Sequence, residues 1–125
     1  MQIVSTTDAP QAIGPYSQAI ITDGWLYTSG QIPLSASGEK VQGEIAAQTE
    51  QAFNNLEAII ISCGATLAHV VKVTVFMTDL AEFGEMNTVF ARRFGAHRPA
   101  RSTVQVVALP TGARVEIEAV VRLAA

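Results

Sequence analysis

One cysteine, two histidines and few charged side chains are spread over 125 residues, and each scarcity excludes a class of protein. A lone Cys63 cannot close an internal disulfide, and with only His69 and His97 beside it no Cys/His cluster has metal-ligand spacing. No metal is expected. Long apolar runs are missing as well: residues 58–61 and 119–121 fall far short of the roughly 20 that span a bilayer, so no membrane partner is expected. The opening Met1-Gln2-Ile3-Val4-Ser5 has no basic cluster leading into an apolar segment, the mark of a secretory signal, and a cytoplasmic location is expected. Cations are few and scattered, 8 Lys and Arg against 11 Asp and Glu with a formal net charge of −3. Affinity for nucleic acid rests on clustered cations, so no nucleic-acid partner is expected.

What is present is apolar. Hydrophobic residues make up 49% of the chain and charged residues 15%, with mean hydropathy +0.29. The length suits one domain, 1–125, built on one core. So few charges on so small a domain imply apolar surface buried between subunits.

Periodicity gives the elements. Residues 17–21 and 25–29, rich in β-branched and aromatic side chains, flank Asp23-Gly24 and predict a β-hairpin. Residues 35–43 predict an exposed loop, and Gly38 and Gly43 in it lack any phosphate-cradling spacing. From 44 to 63 the apolar positions Phe53, Leu56, Ile60 and Cys63 recur at helical spacing, with Gly64 placed for a left-handed C-terminal cap. Residues 70–78 alternate as a strand, with Val71, Val73, Val75 and Met77 on one face and Lys72, Thr74 and Phe76 on the other. Asp79 and Glu82 resemble a capping box for a second helix carrying Phe83, Met86, Phe90 and Phe94. Pro99 ends it. Strands are expected at 102–108 and 114–122, with a turn at 109–112 between them.

The expected order, β-β-α-β-α-β-β, is a single α+β domain. Two helices cover one face of such a sheet, and its other face needs a second layer or solvent. On the last strand Val115, Ile117, Ala119 and Val121 point towards the helices, leaving Glu116, Glu118 and Val120 on the second face. With Phe76, Thr74 and Val107 assigned there too, that face is half apolar and carries two carboxylates. Subunit packing with a cleft between chains is inferred.

Five segments in order resemble the Rid/YjgF family of enamine and imine deaminases. They are Ile13-Gly14-Pro15-Tyr16-Ser17-Gln18-Ala19, Tyr27-Thr28-Ser29-Gly30-Gln31-Ile32-Pro33, Val70-Val71-Lys72-Val73-Thr74-Val75-Phe76, Pro99-Ala100-Arg101-Ser102-Thr103 and Val115-Glu116-Ile117-Glu118-Ala119. The resemblance runs from about residue 8 to 122. It implies a chorismate-mutase-like fold with a mixed sheet and two helices on one face, assembled as a homotrimer with sites between subunits. It also implies that Arg101 grips a substrate carboxylate, that Tyr16, Ser29 and Glu116 line the same pocket, and that main-chain groups near Gly30 and Thr103 face the ligand. Thr103 stands where many relatives have cysteine, so thiol chemistry does not carry over. Phe90 stands where tyrosine is common, which reads as a change of packing.

The implied activity is hydrolysis of 2-aminoacrylate, 2-iminopropanoate and 2-iminobutanoate to 2-keto acids and ammonia. It needs no cofactor, because water is the only other reactant, and it links the chain to the PLP-dependent enzymes that release such imines. Arginine offers a planar, permanently charged fork for a carboxylate. Glu116 can activate water and then protonate the leaving ammonia. Plainer readings exist for the same residues. Arg101 could end a strand or pair with Glu116 or Glu118, those two glutamates alternate like any solvated strand face, and Tyr16 and Ser29 could be turn residues. His69 and His97 read as surface groups and Cys63 as core packing. Three other functions compete: a non-catalytic trimer binding small carboxylates, a deaminase of a specialised substrate such as 2-aminomuconate, and an endoribonuclease, which the acidic balance disfavours.

Overall fold

Asp23 and Gly24 both adopt positive φ, 51° and 81°, the twist of a two-residue hairpin turn. They join β2 (Ala19–Thr22) to β3 (Trp25–Thr28) with Thr22 opposite Trp25. The computed structural model describes residues 1–123, so the last two positions of the expected domain 1–125 lie outside the described residues. The remaining elements are β1 (Gln2–Val4), α1 (Ile45–Ser62), β4 (Val70–Met77), α2 (Phe83–Phe94), β5 (Ala100–Gln105) and β6 (Val115–Arg122). They form one mixed sheet in the order β1-β2-β3-β6-β4-β5, with β4 and β5 parallel across the α2 crossover and the other pairs antiparallel. The chain is therefore a single α+β domain. β1 was not expected, because three residues are too few to show a period.

The helical stripes behave as the spacing predicts. Phe53, Leu56, Ile60, Met86, Phe90 and Phe94 are buried in one cluster with Val73, Val75, Val115, Ile117, Ala119 and Val121. Phe53 meets Phe90 and Phe94 edge to face, each at 5.7 Å. Cys63 and Phe83 sit only partly buried at the margin of this core. The end of α1 is a Schellman cap: Ala65 N–H donates to Ile60 O, Gly64 N–H donates to Ile61 O, and Gly64 has φ 79°. A Cβ at Gly64 would meet nothing within 4 Å, so Gly64→Ala should cost only the left-handed backbone strain, about 1 kcal/mol in the urea unfolding free energy.

Several expectations needed correction. A bulge between Val70 and Lys72 shifts the register of β4, so Val70 takes the buried position and Val71 is 44% exposed. Asp79 caps a single 3-10 turn, its Oδ1 accepting from Ala81 N–H at 2.9 Å, and α2 starts only at Phe83. Glu82 does not fold back as a capping box would. It pairs with Arg114 instead. β5 stops at Gln105 rather than running to 108, and Val107 stands fully in solvent rather than on the second face. Sequence alternation alone could not see the end of pairing with β4.

Two buried polar residues on α1 tie down main chain outside the strands, Asn55 the segment after β3 and Gln48 the residue that leads into β6. Asn55 Nδ2 donates to Ile32 O at 3.0 Å and Leu34 O at 2.8 Å, and Gln48 Oε1 accepts from Arg114 N–H at 3.0 Å. Both satisfy main-chain groups that a loop over a core would otherwise leave unpaired.

Candidate active site

The residues singled out in the sequence form two groups. The first lies where β3 runs into the following loop. Gln31 N–H donates to Ile117 O at 2.8 Å and Ile117 N–H returns the bond to Gln31 O at 3.0 Å, which lays Gly30 against the start of β6. A Cβ on Gly30 would lie 2.3 Å from Glu116 Oε2. Any side chain here would push the Glu116 carboxylate aside, and the bare backbone of Gly30 is what lets that carboxylate sit against the main chain. Tyr16, Ser29, Gly30, Gln31 and Glu116 then line one cavity of about 460 Å³, bordered also by residues 10–13.

The chemistry within it is uneven. Ser29 Oγ donates its proton to Ser17 O at 2.5 Å, so towards the cavity the hydroxyl offers lone pairs and can only accept. Tyr16 Oη accepts from Ile13 N–H at 3.3 Å, leaving its own proton free. Glu116 has a pKa raised above the carboxylate value of 4.5, first because burial disfavours its charge and second because Glu118 lies two residues along the same face of β6.

The second group lies across the sheet. Parallel pairing sets Arg101 opposite Val73 and Thr103 opposite Val75, which places both on the helix-covered face, at the sheet's edge. Arg101 Nη1 donates to Asn87 Oδ1 at 2.7 Å, and the guanidinium lies 4.6 Å from the Phe90 ring centre and 5.3 Å from that of Phe83. Its planar face is stacked on aromatics and one edge is held by an amide, which leaves donors for a carboxylate. Arg101 forms no ion pair with Glu116 or Glu118, whose side chains project from the opposite face. The Thr103 hydroxyl is buried without a hydrogen-bond partner. Asn87, Phe90, Pro99 and Arg101 border a cavity of about 340 Å³ that shares no residue with the Glu116 cavity.

One chain thus brings Tyr16, Ser29, Gly30 and Glu116 together and keeps Arg101 and Thr103 apart from them. The sequence reading missed Asn87 and Gln31, and took Phe90 as packing alone. A signal existed for Asn87: it interrupts the apolar stripe of α2 between Phe83 and Phe90, at i+4 and i−3 on the same face. Among the described residues no group of three His, Cys, Asp or Glu side chains is placed to hold a metal, and no helix is long and apolar enough to cross a membrane.

A mixed six-stranded sheet with a carboxylate cleft on one face and a stacked, amide-held guanidinium on the other defines a small α+β domain. The chain belongs to the Rid/YjgF family, whose profile, described as Endoribonuclease L-PSP, matches residues 6–123. It is 43% identical over 120 residues to the human 2-iminobutanoate/2-iminopropanoate deaminase, covering 95% of this chain and 88% of that protein. Among solved structures it is similar to an endoribonuclease candidate from Thermotoga maritima MSB8, with TM-score 0.96, 47% identity and 100% and 99% of the two chains covered. It is also similar to E. coli TdcF with bound serine, with TM-score 0.93, 35% identity and 99% and 100% covered.

Proposed function

We propose that this protein hydrolyses short enamine and imine acids, 2-aminoacrylate, 2-iminopropanoate and 2-iminobutanoate, to 2-keto acids and ammonia. The observation that carries the reading is the pairing of Glu116, whose pKa is raised, with an acceptor-only Ser29 hydroxyl in one small cavity. An iminium nitrogen needs acceptors for its N–H groups, and water needs a base beside the imine carbon. Arg101 holds the carboxylate. Glu116 takes a proton from water as its oxygen attacks the imine carbon, returns it to the carbinolamine nitrogen, and then accepts the hydroxyl proton as the C–N bond breaks, the carbonyl forms and ammonia departs to take up that proton as ammonium. Water is consumed, and no cofactor is required. Tyr16 forms an apolar wall that suits short side chains.

Because the two groups occupy opposite faces of one sheet, the complete site uses Arg101 and Thr103 of one subunit with the Glu116 cavity of another. The half-apolar second face supports such packing: Tyr27 and Val104 are 47% and 41% exposed there, beside Phe76 and Thr74. A chorismate-mutase-like homotrimer is the assembly that closes three sites at once. The whole chain, 1–125, serves as one subunit, acting in the cytoplasm beside PLP-dependent dehydratases that release these imines. A second reading, a trimer that binds small carboxylates without turnover, takes support from serine in TdcF. The Glu116 environment speaks for turnover, since a carboxylate binder needs the arginine but gains nothing from a half-buried acid. A 2-aminomuconate-type substrate would use the same groups. An endoribonuclease would need a cationic track, and the chain carries −3.

The test is a coupled assay in which a threonine or serine dehydratase generates the imine and semicarbazide traps what remains. Faster keto-acid release with this protein supports the deaminase, and no acceleration for either imine shifts the reading to the carboxylate-binding trimer. The pH dependence is a second check. Glu116 acts as a base only when ionised, so kcat/KM should fall on acidification through a pKa above 4.5. Glu118→Gln removes a neighbouring negative charge and should move that limb to lower pH. Linkage gives the matching sign for stability: the folded state binds this proton more tightly than the unfolded state, so Glu116 stabilises the fold below pH 4.5 and that contribution is lost as pH rises through the folded pKa.

A further inference from the structure

We propose that Gln18 is a positioning residue that holds Tyr16 against the substrate cavity by stapling the segment that carries it, an inference that rests on Tyr16 being a wall of that site. Val4 and Ala19 are paired partners on β1 and β2, so the chain between them leaves and re-enters the sheet at the same rung and has no regular structure of its own. Its tip is not held by burial: Ile13 is 84% exposed and Tyr16 54%. Something polar must order it. Gln18, only 3% exposed, does so with a single side-chain amide. Its Oε1 accepts from Thr6 N–H at 2.8 Å, and its Nε2 lies 2.8 Å from Pro10 O, 3.1 Å from Thr6 O and 3.4 Å from Ala9 O. Two N–H groups serve these three carbonyls, the two shorter contacts being the bonds. The Ser29 hydroxyl on Ser17 O fixes the other end of the segment. Gln18 also borders the cavity with Pro10 and Tyr16. The amide therefore sets how far the 10–16 segment stands from Glu116, and through it where the Tyr16 wall lies.

Gln18→Glu isolates this role. It keeps the shape and the acceptor for Thr6 N–H, removes both donors, and sets a carboxylate against the carbonyls of Thr6 and Pro10. Gln18→Met is the uncharged counterpart. With both variants measured well below their melting temperatures, KM for 2-iminobutanoate and Kd for 2-ketobutanoate are each expected to rise ~10-fold while kcat stays within ~3-fold. Hydrogen exchange should quicken in residues 8–17 and stay unchanged in α1. Unchanged KM and Kd in both variants, with lower melting temperature and faster exchange throughout the domain, would overturn the proposal, because that is what a purely structural amide does. Should Gln18→Glu fail to fold, Gln18→Met decides by the same readouts. Should the wild type hydrolyse neither imine, the keto-acid Kd and the exchange pattern still decide for or against Gln18, and the failure counts against the deaminase reading alone.

Discussion

Arg101→Ala is expected to abolish measurable imine hydrolysis, lowering kcat/KM by at least ~10²–10³-fold, with the melting curve of the protein retained. The loss follows from what the guanidinium is held for. Asn87 fixes one edge and Phe83 and Phe90 carry its face, so the fork is already oriented before a carboxylate arrives and little ordering remains to oppose binding. Without it, under the proposed mechanism, the imine carbon is no longer registered against Glu116. Arg101→Lys should rescue poorly, because an ammonium restores charge but neither the bidentate geometry nor the stacking. Arg101 sits at the edge of β5, half-buried and outside the Phe53 cluster, so folding should tolerate the change. A folded Arg101→Ala protein that still accelerates keto-acid release in the dehydratase assay would remove the carboxylate-anchor role.

Glu116→Gln is expected to cut kcat by ~10²–10⁴-fold, the range of a lost general acid–base, while Kd for 2-ketobutanoate changes by less than ~3-fold. The amide is isosteric and keeps the close approach to Gly30, where a Cβ would fall 2.3 Å from Oε2, so the cavity wall survives and only proton transfer is lost. Calorimetry with the keto acid and single-turnover kinetics with the imine separate the two effects. Parallel losses in binding and turnover would make Glu116 part of the pocket wall and favour the non-catalytic trimer. The deaminase name of the human relative at 43% identity does not decide between these outcomes. The split between kcat and Kd does.

Much of the fold was legible because it follows from short-range rules. The Asp23-Gly24 hairpin, the Gly64 cap, the α2 stop before Pro99 and the alternation of Val115 to Val121 each depend on residues within a turn or two of one another. The failures came where pairing partners matter. Val71 was assigned inward until the bulge opposite β6 pushed it out, β5 ended where β4 no longer paired with it, and Glu82 chose Arg114 over the helix start. Tyr16, Ser29, Gly30, Arg101, Thr103 and Glu116 were singled out through ordered motifs, and the structure gathers Tyr16, Ser29, Gly30 and Glu116 round one cavity. Their supports were not singled out, since Gln18, Asn55 and Asn87 act through contacts to segments distant in sequence or across a helix.

By itself the sequence determined the chemical inventory: one arginine in a Pro-Ala-Arg setting, an acid on an alternating strand, hydroxyls near glycine, and too few clustered cations or thiols for other chemistries. Local periodicity follows from the 3.6- and 2-residue repeats of the backbone, so it could be read along the chain. Tertiary structure alone decided that Arg101 and Glu116 face opposite sides of one sheet, because face is set by strand register and a single-residue shift reverses it. Register depends on the bulge in β4 and the parallel pairing of β5, which no linear pattern displays. The raised pKa of Glu116 is likewise a product of burial beside Gly30 and of Glu118, an environment that exists only once the strands are assembled.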